Sequence, residues 1–119
     1  MKVVEAGADP RRLDDWAALV GSSVGALRNR CLVAGLNPRR SLTFARLLRV
    51  VVLAEREGWY PEQFLDNVDP RTVDRLLALG CLPNRSEHDA QPTAEGFLAR
   101  QTLVAEPHAL SAVRRALGA

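Results

Sequence analysis

Two short clusters of polar side chains contain the residue types that read DNA bases. Each cluster follows a predicted turn, at residues 20–23 and at residues 68–70. Arginine donates two hydrogen bonds to guanine, and asparagine forms two with adenine. The candidate base contacts are therefore Arg28, Asn29, Arg71, Thr72 and Arg75.

Arginine supplies nearly all of the positive charge, and its distribution along the chain is uneven. The 119 residues include fifteen arginines and one lysine, and the formal net charge is +2. Residues 28–49 hold six arginines and no acidic residue, whereas residues 50–70 hold five acidic residues and one arginine. A basic face of this kind is the electrostatic footprint of nucleic-acid binding. The candidate phosphate contacts, which fix affinity and register but not sequence preference, are Ser22, Ser23, Arg30, Arg39, Arg40, Arg46 and Arg49.

Helical periodicity and capping residues predict an all-α fold around these clusters. Asp9-Pro10 is expected to begin a first helix, with Asp9 as its N-cap, and Ser22-Ser23 to begin a second. Further helices are predicted over about 38–57, 61–67 and 70–79, and two weaker ones begin near 93 and 107. No stretch alternates with period two, so no strand is predicted.

The order of these helices predicts two helix-turn-helix units joined by a long connecting helix. In each unit a first helix braces a second, which enters the major groove. The connecting helix has about 20 residues and would be about 30 Å long, close to the roughly 34 Å of one turn of B-DNA. Recognition helices near 23–34 and 70–79 would therefore reach successive major grooves.

The chain also resembles the AraC-type DNA-binding domain, most closely over residues 13–53 and more loosely to 82. Residues 13–23 are similar to that family's bracing helix and turn. Ser23, Leu27 and Cys31, followed by the stretch 35–38, match the pattern of its first recognition helix, and 44–48 are similar to the start of its connecting helix. The resemblance implies a transcription regulator with two helix-turn-helix units on one helix.

The predicted organisation is a DNA-binding domain at 9–82, a linker at 83–92 and a helical tail at 93–119. The linker is assigned from its polar and proline-rich composition. Three roles for the tail stay open: it packs on the core, mediates self-association or binds a protein partner.

No enzymatic, metal or cofactor site is predicted. His88 and His108 have no triad or zinc spacing, and the chain has no glycine-rich phosphate loop. Cys31 and Cys81 are expected to be small buried side chains. Because no signal peptide or membrane-spanning run is present in the sequence, a cytoplasmic location is expected.

The competing interpretation is a helical protein-interaction module without DNA binding, such as an adaptor of the transcription machinery or an antitoxin-like protein. The short side chains at 24–26 and the acidic residues 55–69 fit such a surface. Trp59 and Tyr60 are candidate anchors there, although packing in the core is the favoured interpretation. DNA binding through phosphates would weaken steeply with salt, whereas apolar protein contacts would not.

Overall fold

Every regular element in the computed structural model is an α-helix within the residues it describes, which are 9–33, 37–65, 69–87 and 89–100. The prediction of an all-α fold is confirmed. The helices are α1 (Leu13–Leu19), α2 (Val24–Val33), α3 (Pro38–Glu57), α4 (Pro61–Phe64), α5 (Pro70–Leu79) and α6 (Ala94–Arg100). Among these helices, none is both long and apolar enough to cross a membrane.

Four of the helices begin at side chains that the sequence marks as caps. In each case a side-chain oxygen accepts a hydrogen bond from a backbone N–H of the first turn, which otherwise lacks a partner. The pairs are Ser23 with Ala26, Asn37 with Arg40, Asp69 with Arg71 and Thr93 with Gly96, at 3.0 to 3.1 Å. The predicted bounds of α3 are confirmed, since Gly58 ends the helix with a φ of 101° that favours glycine.

The first helix does not begin at Asp9-Pro10, so that prediction is wrong. Helix α1 begins at Leu13, and Arg12 occupies the N-cap position with its N–H donating to Asp15 at 3.2 Å. Asp9 is buried and accepts two hydrogen bonds from Arg46, at 2.9 and 2.6 Å. A two-bond contact with a guanidinium is stronger than a backbone cap, so the carboxylate pairs with α3 instead.

The larger hydrophobic core lies in a C-terminal lobe, which consists of α3 from Phe44 onward together with α4, α5 and α6. Its buried residues are Phe44, Leu47, Leu48, Val50, Val51, Trp59, Phe64, Leu65, Val73, Leu77, Phe97 and Leu98. Helix α6 belongs to this core, because Phe97 stacks on Phe44 with ring centroids 5.6 Å apart. The start of the predicted tail therefore packs on the core, while residues 101–119 and the predicted last helix lie outside the described residues.

A smaller hydrophobic core lies in the N-terminal lobe, which consists of α1, α2 and residues 38–43 of α3. Its buried residues are Leu13, Ala17, Leu27 and Leu42. Within the described residues, α1 and α2 pack on each other and on α3 but not on α4, α5 or α6. Two helix pairs thus share one long helix, and their assignment as DNA-binding helix-turn-helix units stays a prediction.

The segment predicted as a linker is non-helical where it is described, but it is attached to the C-terminal lobe. The indole N–H of buried Trp59 donates to the Asn84 carbonyl at 3.0 Å. Glu55 accepts from the Ala94 N–H at 2.8 Å and so holds the start of α6. The segment 83–92 therefore positions α6 against α3.

Three smaller expectations need correction. Helix α4 ends at Phe64 rather than near 67, and residues 66–68 lie outside the described ranges. Cys31 is buried as expected, but Cys81 is exposed, because it follows α5 at a φ of 56° that turns the chain. Trp59 is a core residue, whereas the neighbouring Tyr60 is exposed.

Candidate nucleic-acid interface

Helix α2 presents three of the predicted DNA contacts to solvent. Arg28, Asn29 and Arg30 are all exposed, because only Leu27 and Cys31 of this helix are buried. Burial also raises the pKa of the Cys31 thiol, since an apolar site disfavours the thiolate. The helix is thus attached by a narrow apolar contact, and most of its circumference is available for binding.

Helix α5 presents a second, smaller set. Arg71 and Arg75 are exposed and lie one turn apart on the same face, because Val73 and Leu77 point into the core. Thr72 is half-buried, and its hydroxyl donates to the capping Asp69 at 3.3 Å. The hydroxyl of Thr72 therefore stabilises the start of the helix, and the two arginines are its stronger candidates for base contact.

The remaining exposed candidates lie at the starts of α2 and α3. Arg39 and Arg40 are exposed in the first turn of α3. Ser22 is half-buried and its hydroxyl donates to the Ser23 carbonyl at 3.2 Å, while Ser23 caps α2. The two serines have local structural roles, so the arginines are the residues best placed to bind phosphate.

Arg46 and Arg49 are not at the surface, and their assignment as phosphate contacts is wrong. They are 8% and 6% exposed. Arg46 forms the ion pair with Asp9, and Arg49 donates to the Phe64 carbonyl at 2.7 Å. Both lie where α3 is covered by the two lobes, so their aliphatic stems are buried and their head groups bind within the protein.

A cleft in the N-terminal lobe brings together three predicted residues, one of them the buried Arg46, and two that sequence reasoning missed. Arg28 and Arg39 line it with Arg11 and Arg12, which precede α1. The cleft has a volume of about 370 Å³, and its lining also includes Asp14, Leu13, Leu42, Thr43 and Arg46. The Arg11-Arg12 pair was visible in the sequence, but its position beside α3 depends on the Asp9–Arg46 contact, which joins residues 37 positions apart.

Comparisons with known proteins do not assign this chain to a family. A scan of protein-family models, a search of curated proteins and a search of solved structures each found no match. The resemblance of residues 13–82 to AraC-type domains therefore stays a prediction.

Proposed function

We propose that this protein binds double-stranded DNA as a small, non-catalytic transcription regulator in the cytoplasm. The observation that carries the proposal is a basic surface on the N-terminal lobe, formed by the exposed residues Arg28, Arg30, Arg39 and Arg40. Among the described residues of this lobe, the exposed acidic side chains are Asp14 and Asp15, against six exposed arginines. An excess of exposed arginine on one lobe favours a phosphate backbone as partner.

The positions of α2 and α5 support contact with two neighbouring grooves. Helix α2 shares the smaller core with Leu42, near the start of α3, and α5 shares the larger core with residues 44–51 of α3. The 20 residues of α3 extend about 30 Å at about 1.5 Å per residue, against about 34 Å for one turn of B-DNA. In this proposal Arg28, Asn29, Arg71 and Arg75 contact bases, with Thr72 in a lesser role.

Salt dependence tests the proposal directly. Fluorescence anisotropy with a random-sequence duplex would be measured between about 50 and 200 mM salt. With Arg30, Arg39 and Arg40 on phosphates, the slope of log affinity against log salt is expected to be about −2.7, at about −0.9 for each phosphate contact. Absence of binding at the lower salt concentration would overturn the proposal.

Paired variants separate backbone contact from base contact. Arg39→Ala/Arg40→Ala is expected to weaken binding to all duplexes alike and to reduce the salt slope by about 1.8. Arg71→Ala/Arg75→Ala should reduce the preference for a selected site over random DNA, because bidentate base contacts contribute about 1–3 kcal/mol each. Arg56→Ala is the control, since Arg56 is an exposed arginine beside Glu55 and Glu57. Equal effects of all three variants would contradict the assignment.

A second candidate function, binding to a protein, is supported by the end of α2. Leu32 and Val33 are 70% and 83% exposed, although they are apolar. If this end is a protein contact, Leu32→Ser/Val33→Ser abolishes binding to that partner and leaves the salt-dependent affinity for DNA unchanged. If Arg39→Ala/Arg40→Ala alone reduces partner binding, the apolar contact is excluded.

A further inference from the structure

We propose that the cleft lined by Arg11, Arg12, Arg28 and Arg39, here called the arginine cleft, is a binding site for a compact, multiply charged phosphate group. This inference does not require that the protein binds DNA. It rests on the convergence, charge and shape of the cleft.

The four arginines come from three separate parts of the chain. Arg11 and Arg12 lie in the segment before α1, Arg28 lies in the middle of α2, and Arg39 lies in the first turn of α3. Like charges repel, so folding alone gives no reason to gather them. An anion between them relieves this repulsion, and arginine offers forked donors that match phosphate oxygens.

The cleft has an excess of positive charge within the described residues. All four arginines are exposed, and none of them forms an ion pair with any residue that the structure describes. Asp14 is the acidic residue in the lining, and Arg46 at the edge is neutralised by Asp9. Three positive charges therefore remain uncompensated, which suits a ligand with two or more negative charges.

The shape of the cleft favours a compact group over an extended surface. Its volume of about 370 Å³ is at the small end of the range of about 300–1,000 Å³ that is typical of ligand sites. Buried Leu13 and Leu42 contribute to its wall, and the half-buried Thr43 adds a hydroxyl donor. A phosphate or short phosphate chain fits the charged rim.

Arg46 is a positioning residue for this site and not a ligand. Its two hydrogen bonds to Asp9 fix the segment that carries Arg11 and Arg12 against α3. Because this contact is buried, the segment before α1 has a defined place beside Arg39. The pairing thus preorganises the cleft before a ligand enters it.

Two sources can supply the same phosphate chemistry. One is a free oligophosphate or a small molecule that carries one, and the other is a backbone phosphate of a DNA duplex. The probe for the site itself is inorganic tripolyphosphate, which has the charge and size of the proposed group and contains no DNA.

The test is isothermal titration calorimetry of the full chain with tripolyphosphate. Saturable binding with about one site per chain is expected, and Arg39→Ala or Arg12→Ala should weaken it at least tenfold, as expected from losing a charge-assisted contact. Arg56→Ala, at the far end of α3, is the matched control and should bind as the wild type does. Absence of saturable binding, or equal weakening by Arg56→Ala, would overturn the proposal.

A variant that is expected to tighten binding distinguishes loss of the site from loss of folding. Asp14→Asn removes the negative charge in the lining and should tighten tripolyphosphate binding several-fold, which a misfolded protein cannot do. No tightening in a folded Asp14→Asn protein would count against the site. Competition then identifies the source: displacement by a random duplex indicates a backbone phosphate, and simultaneous binding indicates a free phosphate ligand.

If the protein does not bind DNA at all, tripolyphosphate binding still stands or fails by itself. Conversely, a protein that binds DNA with a salt slope unaffected by Arg11→Ala and Arg12→Ala, and that ignores tripolyphosphate, retains its proposed function and lacks this site.

Discussion

The two lobes of this protein differ in what they contribute. The core of the C-terminal lobe has twelve buried hydrophobic residues, whereas the core of the N-terminal lobe has four. The N-terminal lobe, in turn, holds the arginine cleft and, among the described residues, most of the exposed arginines. Buried hydrophobic side chains are thus concentrated in one lobe and exposed positive charge in the other.

Because the N-terminal lobe has the smaller core, we expect the surface proposed to bind DNA and phosphate to be the less stable part of the protein. Regions with few buried apolar contacts open at a lower free energy than the global unfolding transition. A bound anion would stabilise such a region by mass action. We therefore expect a bound anion to stabilise the N-terminal lobe more than it stabilises the C-terminal lobe.

The largest expected effect is a matched pair of core substitutions. Leu47 is fully buried in the larger core, so Leu47→Ala should reduce the free energy of unfolding by about 4 kcal/mol, near the upper end of such changes. Leu27 lies in the smaller core and is 5% exposed, so Leu27→Ala should cost about 2–3 kcal/mol. Urea unfolding followed by circular dichroism measures both. Equal losses of unfolding free energy in the two variants would show that the two lobes contribute equally to stability.

The sequence predicted much of this architecture where local chemistry decides it. Asn37-Pro38 and Gly58 set both ends of α3, and Asp69-Pro70 sets the start of α5. The sequence did not predict that Asp9 and Arg46 form a buried ion pair. An Asp that caps a helix and an exposed arginine have the same local sequence as two residues that pair in the interior. The partner that decides between these outcomes lies 37 positions away.

The candidate site was predicted in part for the same reason. Arg28 is exposed because Leu27 and Cys31, four positions apart, fix the inward face of α2, and Arg39 is exposed because it lies in the first turn of α3. Arg11 and Arg12 enter the site only through the tertiary contact of Asp9 with α3. The composition of the cleft therefore depends on long-range contacts that periodicity does not encode.

A second prediction concerns the contact that attaches the N-terminal segment. Asp9→Ala leaves the buried Arg46 guanidinium without its carboxylate, so it should cost about 3 kcal/mol. The double variant Asp9→Ala/Arg46→Met removes both charges and should be less destabilised than Asp9→Ala alone. Thermal unfolding of the two variants gives this ranking, and the reverse order would show that the pair is not buried in solution.

A third prediction tests how closely α5 approaches the rest of the C-terminal lobe. A Cβ at Gly80 would lie 2.7 Å from Leu47 and 3.1 Å from Phe97. Gly80→Ala should therefore cost about 1–2 kcal/mol by forcing these side chains apart. Gly25→Ala is the control, because no atom lies within 4 Å of its added Cβ. An unchanged melting temperature for Gly80→Ala would mean that this lobe is loosely packed.

The smallest expected effect is the alkaline response of the N-terminal lobe. Burial raises the pKa of Cys31 above its ordinary value of 9.0, so folding favours the protonated thiol. The stability gained in this way is fully present below pH 9.0 and is lost as the pH rises through the raised pKa of the folded protein. Urea unfolding at pH 7 and at pH 10 should show a smaller decrease for Cys31→Ala than for the wild type. An identical decrease would place the thiol in contact with water.

The middle of α3 decides how this chain can be dissected. Six consecutive residues, 46–51, are buried, so the helix is covered around its whole circumference there. A fragment ending at Glu57 would leave the apolar side chains of this stretch without α4, α5 and α6, and we expect it to aggregate on expression. A fragment beginning at Pro38 keeps the larger core and is expected to remain soluble. The binding surface of the N-terminal lobe therefore has to be mapped by point substitution in the intact chain, since a fragment that carries this lobe alone lacks the larger core that covers α3.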